Sequence, residues 1–311
     1  MDRRRARAGA LILAAAALAA AAGAAADFPI REAKWLRPEA IPRALSKEPA
    51  ECLVWPNNPQ ARRRVAIGRT AFRAPLLLGG QAARAGMSCA TCHRNGRGNP
   101  DFLFPGLSGA AGTADVTSSL MSRRRGDADF NPKPIPDLAG PPSKLKISRS
   151  EPRALEEFIR GLVVDEFDGP EPPAGGIESL AAYARALRPE ACGPPRKITL
   201  RDRLDEVSAA VALAAAEKGE LRSFLLGAAR SQLGAIDERF KGADAARALL
   251  RAADRDLAAI RSGEAGFETW QRRWPERRRR LMRDEGRSLF SERALRRAIA
   301  AASLPEAQQP R

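Results

Sequence analysis

Cys89-Ala90-Thr91-Cys92-His93 sets two thiols three residues apart and follows the second with an imidazole, the only histidine of the chain. This C-x-x-C-H spacing is what covalent attachment of a c-type haem requires. The two sulfurs reach two vinyl-derived carbons on one porphyrin edge, and the adjacent imidazole turns under the ring to meet iron. Two other readings compete. A structural zinc site needs four N or S ligands, whereas the remaining cysteines, Cys52 and Cys192, lie far away and no second histidine helps. A thioredoxin-like dithiol is usually set at a helix start after a strand in a βαβ pattern, and nothing around residues 70–110 alternates like strand.

Working outward, the first 26 residues read as a secretory signal. Arg3, Arg4, Arg5 and Arg7 precede an apolar run from Ala8 through Ala22, and small residues end at Ala24-Ala25-Ala26, with cleavage expected before Asp27. The alternative is an uncleaved anchor, but the run is mostly alanine and short of the roughly 20 strongly apolar residues a span needs. Export, to a periplasmic or otherwise external compartment, agrees with thioether formation, which takes place outside the cytoplasm. The formal charge is +16 over 311 residues. Losing Asp2 and four leader arginines lowers it by three and leaves the chain strongly basic.

With the haem thiols set aside, Cys52 and Cys192 form an even pair in an oxidising compartment. A disulfide between them would close a long loop around the C-x-x-C-H segment and stabilise the fold by ~3–5 kcal/mol on chain-entropy grounds. Two separate buried thiols are the alternative.

The expected fold class is all-α: a haem domain over residues 52–192 followed by an antiparallel helical bundle over residues 197–311, parted near Gly193-Pro194-Pro195. Residues 27–51, with Pro29, Pro38, Pro42 and Pro49, read as an irregular arm pinned by Trp35. Within 52–192, helices are expected at about Pro59 to Phe72, Glu151 to Val164 and Ile177 to Leu187. Val65, Gly68 and Phe72 share one side of the first helix. Leu180, Tyr183, Ala184 and Leu187 form the stripe of the last, where Tyr183 reads as an ordinary core aromatic.

Residues 59–188 resemble a class I cytochrome c domain. That family carries G-x-x-x-F in an N-terminal helix, matched by Gly68-Arg69-Thr70-Ala71-Phe72, and an aromatic with leucines in a C-terminal helix, matched around Tyr183 and Leu187. It also carries P-x-L-x-G about a dozen residues past the haem histidine, where this chain has Pro105-Gly106-Leu107-Ser108-Gly109. The resemblance implies that the Pro105 carbonyl accepts a hydrogen bond from His93 and that Leu107 presses on the haem. The separation of seventeen positions from Phe72 to Cys89 is a departure from small cytochromes. Pro75-Leu76-Leu77-Leu78-Gly79-Gly80 and Gly86-Met87-Ser88 are similar to the approach to the haem motif in di-haem cytochrome c peroxidases, and Asp115-Val116-Thr117-Ser118-Ser119-Leu120 loosely echoes another of their segments. A single C-x-x-C-H excludes a complete di-haem enzyme in one chain.

The sixth iron position divides the functional readings. Met121 is the candidate sulfur ligand, 28 residues past His93. Water or an open position is the alternative, and Lys133, Lys144 or Lys146 a third. Where a P-x-x-K-M loop is expected, the chain reads Pro142-Ser143-Lys144-Leu145-Lys146. Sulfur opposite histidine favours outer-sphere electron transfer. An open iron favours a peroxidase-like or small-ligand-sensing protein, for which Asp115 or Glu157 would have to act as acid-base group.

Past Thr199, apolar residues recur at three and four, with Gly219, Gly242 and Gly263 at the breaks, so four or five antiparallel helices are expected, interrupted by Pro275. Trp270 and Trp274 read as core. Arg277-Arg278-Arg279-Arg280 reads as a solvated face, or as a docking surface for an acidic redox partner or an anionic membrane. Nucleic acid is disfavoured by export and by the lack of interleaved aromatics. The expected protein is an exported electron carrier with one covalent haem c. In a further reading, the haem domain gates the helical region.

Overall fold

The computed structural model describes residues 28–141, 144–149 and 151–302. The expected signal segment and Pro142-Ser143 lie outside the described residues. The chain is mostly helical, and no described helix is long and apolar enough to cross a membrane.

The arm is not irregular as expected. Two of its prolines start helical turns, where a missing N–H is harmless and φ is already set. Pro38 opens a 3₁₀ turn, and Pro42 sits in the first turn of α1 (Ile41–Ser46), which leads into β1 (Lys47–Glu48). Phe28, Ile30, Leu36 and Leu45 pack with Leu289 and Leu295 from the far end of the chain. Trp35 instead enters the middle core.

The middle unit is organised by α2 (Pro59–Phe72), which starts on an Asn58 cap, its side chain accepting from Ala61 N at 2.9 Å. Helix α2 crosses α6 (Gly176–Ala186) at Gly68, where a Cβ would fall 1.8 Å from the Ser179 carbonyl oxygen. No residue but glycine permits that approach. Phe72 and Tyr183 meet across the crossing with ring centroids 5.1 Å apart. Between these helices run α3 (Gly80–Ala85), the one-turn α4 (Cys89–Cys92) and α5 (Pro152–Gly161). A small ribbon pairs β2 (Thr113–Ala114) with β3 (Lys133–Pro134).

Cys52 and Cys192 are bonded, with Cα atoms 4.3 Å apart and a sequence separation of 140. Beside the bridge, β1 pairs antiparallel with β4 (Arg196–Lys197), in register Lys47↔Lys197 and Glu48↔Arg196. Entry and exit of the middle unit are thus tied twice. Replacing both cysteines with alanine is expected to lower unfolding stability by about 5 kcal/mol for a loop of this length. Denaturant titration of the variant against the oxidised chain measures it.

The C-terminal region holds α7 (Leu200–Ala215), α8 (Gly219–Glu238), α9 (Asp244–Ser262), α10 (Phe267–Arg283) and α11 (Glu292–Ala302). Gly263 ends α9 in the left-handed conformation at φ +85°. Pro275 does not interrupt as expected: α10 runs through it. The proline is exposed, as is Gln271, whose carbonyl loses its i+4 donor to the proline, while Trp270, Trp274 and Leu281 are buried. The two tryptophans stack at 4.4 Å, and Trp274 Nε1 donates to Ser208 Oγ at 2.8 Å. The bundle is not packed apart from the middle unit, because Ile67 of α2 belongs to its core while Val65, Ala71 and Phe72 belong to the other.

Candidate functional site

Gly86, left-handed at φ +71°, ends α3 and turns the chain so that Met87 is buried and Ser88 caps the next helix. Ser88 and Thr91 form a reciprocal capping box, with Ser88 N donating to Thr91 Oγ1 at 3.0 Å. This fixes one helical turn over Cys89–Cys92 and so places both thiols on the same side. His93 N closes the turn on Cys89 O at 2.9 Å, after which His93 leaves helical geometry at φ −112°, ψ 73°. Asn95 at φ 52° and Gly96 at φ 74° complete the reversal. Buried Asn99 donates to Thr91 O at 2.9 Å, and Asn95 is held by Arg73 at 2.8 Å.

The carbonyl facing the histidine ring corrects the expectation for Pro105. His93 Nδ1 lies 3.0 Å from Pro136 O. A carbonyl only accepts, so Nδ1 carries the proton. Nε2 has no hydrogen-bond partner among the described residues and keeps its lone pair. Pro136 belongs to Pro136-Asp137-Leu138-Ala139-Gly140, a second P-x-L-x-G in the chain. The segment is docked by Arg97 Nε donating to Asp137 Oδ2 at 2.6 Å and by Leu138 N donating to Gly96 O at 3.0 Å. Asp137 also caps its own turn, accepting from Ala139 N at 2.9 Å. By contrast, the 104–108 turn closes on itself, with Ser108 N donating to Phe104 O at 2.9 Å and Phe104 N to Ser108 Oγ at 3.0 Å. Pro105 is therefore pushed outward and exposed, while Leu107 is fully buried. The repeated pattern was the available signal for Pro136.

Cys89 and Cys92 pack against the core that holds Met87, Leu107 and Met121. Burial pushes the Cys89 thiol up to about 11 and, with the neighbouring Cys89, that of Cys92 up to about 12. Burial draws His93 down to about 4, against the pull of the Pro136 carbonyl and Asp137. At neutral pH the segment thus presents two protonated thiols and a neutral imidazole. A dithiol exchange centre wants a lowered thiol pKa at its helix start, which this turn does not supply. Among the described residues no three His, Cys, Asp or Glu side chains converge to hold a metal ion.

The structure brings Met121 into the same core and leaves the other candidates outside it. Met121 is 1 % exposed. Lys133, Lys144 and Lys146 are exposed, the last 5.5 Å above the Phe158 ring. Asp115 is buried, but both its oxygens serve the loop: Oδ1 accepts from Thr117 Oγ1 at 2.9 Å and Oδ2 from Asn131 N at 3.1 Å. Glu157 is exposed on α5. The arginine run is shared among partners: Arg277 bonds Asp256 at 2.6 Å, Arg278 pairs with Asp205 and Arg279 with Glu276.

Behind the site lies a charge belt that sequence reasoning missed, because its members come from four separate segments. His93 faces Phe72 at 6.5 Å between centroids, and Tyr183 beyond it donates to Glu51 Oε1 at 2.7 Å. Glu51 also accepts from Arg69 and Arg73, which pair with Glu206 of α7; Glu206 pairs with Arg203, and Arg203 with Glu48. Burial alone would raise Glu51, but the Arg73 and Arg69 charges and the Tyr183 hydroxyl outweigh it and hold the carboxyl at about 2. A folded value below the unfolded one means that this stabilisation is complete above the usual carboxylate range and is lost as pH falls from about 4.5 to 2. It amounts to ~3 kcal/mol. Urea midpoints are expected to fall through that window, and Glu51→Gln is expected to flatten the fall.

Comparison with protein-family models, with curated proteins and with solved structures finds no match.

Proposed function

We propose that this chain is an exported monohaem c-type cytochrome that passes single electrons. The observation that carries the reading is the His93–Pro136 contact beside the paired thiols. It selects the tautomer that leaves Nε2 free, and a carbonyl partner raises the basicity of the ring toward a metal. The residues fit haem c: Cys89 and Cys92 would hold it by thioethers, and His93 Nε2 would ligate iron. When bound, haem supplies a one-electron couple.

The chain's own residues supply order and an apolar setting. The Ser88–Thr91 box sets the thiols, Arg97 holds the Pro136 segment through Asp137, and Leu107 and Leu138 belong to the apolar core against which the thiols pack. Met121 is the proposed sixth ligand, since its thioether is soft and it is buried in the core against which both thiols pack.

Production with a haem-attachment system tests the reading. A haem that stays on the denatured chain, with a low-spin ferric spectrum bearing the sulfur-to-iron band, is expected. Met121→Ala should remove that band while haem stays bound. A colourless chain with free Cys89 and Cys92 would sink the proposal.

A further inference from the structure

A cavity of about 390 Å³ lies between the arm, the Ser88–Thr91 face of the haem-motif turn and helix α8. It is distinct from the Cys89, Cys92 and His93 side chains. Two buried side-chain atoms without a partner among the described residues belong to residues lining it: Trp35 Nε1, a donor only, and Gln232 Oε1, an acceptor only. Trp35 is 5 % exposed. Buried groups of this kind are unfavourable unless something completes their hydrogen bonds.

The wall also carries a buried cation, on which Glu32 and Glu48 act only from beyond ion-pair distance. Arg239 is 6 % exposed, and among the described residues its guanidinium donates only to carbonyls, Leu289 O at 3.2 Å and Leu45 O at 3.1 Å, above the Phe290 ring. No carboxylate lies at ion-pair distance from it among the described residues. The neighbouring half-buried arginines differ: Arg73 has Glu51 and Glu206, Arg94 has Glu32, and Arg203 has Glu48 and Glu206. Two of the five guanidinium hydrogens are used, so Arg239 has donors to spare.

We propose that this cavity binds a small oxyanion bearing a hydroxyl, with its charged oxygens on the Arg239 guanidinium and the Trp35 indole N–H and its hydroxyl donating to Gln232 Oε1. Hydrogen phosphate and short hydroxycarboxylates share this chemistry. A cation is disfavoured by Arg239, and an anion without a hydroxyl leaves Gln232 unsatisfied. The inference does not rest on haem attachment.

Thermal unfolding and isothermal titration of the purified full chain with inorganic phosphate, lactate and acetate, at constant ionic strength in chloride, test it. Saturable stabilisation by phosphate or lactate is expected, with acetate weaker, and the tighter of the two identifies the source. Trp35→Phe removes one donor at nearly constant shape and should weaken binding about tenfold. Gln232→Glu places a like charge against the ligand and should abolish saturation. Arg280→Gln, on an exposed face of α10, should leave binding unchanged. If Trp35→Phe fails to fold, Gln232→Glu carries the test. Absence of saturation by phosphate and lactate at millimolar concentration, wild-type binding in Gln232→Glu, or equal loss in Arg280→Gln would overturn the proposal.

Discussion

Gly68→Ala is expected to destabilise the chain by ~3 kcal/mol or more. The added Cβ would stand 1.8 Å from Ser179 O and 2.4 Å from Ser179 C, both backbone atoms of α6 that no rotamer change can move aside. Alanine's better helix propensity returns only about 1 kcal/mol. Helices α2 and α6 must therefore separate. Their separation would part Phe72 from Tyr183 and loosen the Tyr183–Glu51 bond. Ile67, on another face of α2, would shift within the C-terminal core, so both units should lose stability together. Chemical unfolding followed by far-ultraviolet circular dichroism measures the loss. A variant as stable as the parent would mean that the helices do not cross at Gly68.

Replacing Cys89 and Cys92 together with alanine is expected to abolish the proposed covalent attachment of haem in a chain that still folds. The two thiols are partly exposed and protonated, and they anchor no hydrogen-bond network of the fold. The turn that bears them is held instead by Ser88, Thr91 and Asn99. Alanine also suits a helical turn. The expected result is a denatured chain without bound haem, a near-parental unfolding midpoint in the haem-free form, and an intact Cys52–Cys192 bridge. Each single replacement should leave one thioether, visible by mass. Haem retained through denaturation in the double variant would contradict the proposed attachment.

These two expectations separate what could be read early from what could not. Helix α2 over Pro59–Phe72, the bundle helices and the cystine pair were legible because each depends on local spacing or simple counting. The interruption expected at Pro275 does not occur, since a proline on the exposed face of a helix anchored by buried tryptophans costs less than one inside a packed seam. In the arm, Pro38 and Pro42 open helical turns rather than break them, so proline content alone does not separate an irregular arm from one built of short helices.

The histidine partner shows the limit most clearly. Two P-x-L-x-G segments, at Pro105 and Pro136, carry the same letters, and distance along the chain favoured the nearer. The 104–108 turn spends its hydrogen bonds on itself, while Arg97 and Gly96 draw the farther segment onto His93. The belt from Glu51 to Glu48 and the cavity beneath Trp35 were equally hidden, because their residues meet only after the arm folds back across two helical units.

By itself, then, the amino-acid order determined the helical class, the paired bonded cysteines and the one segment able to present two thiols and an imidazole together, because those depend on periodicity and on residue chemistry at short range. Which carbonyl meets His93, where Trp35 is buried and how the charges are shared were decided by the tertiary structure alone. Such pairings are set by competition among distant groups for a limited number of buried hydrogen bonds, and only close packing decides that competition.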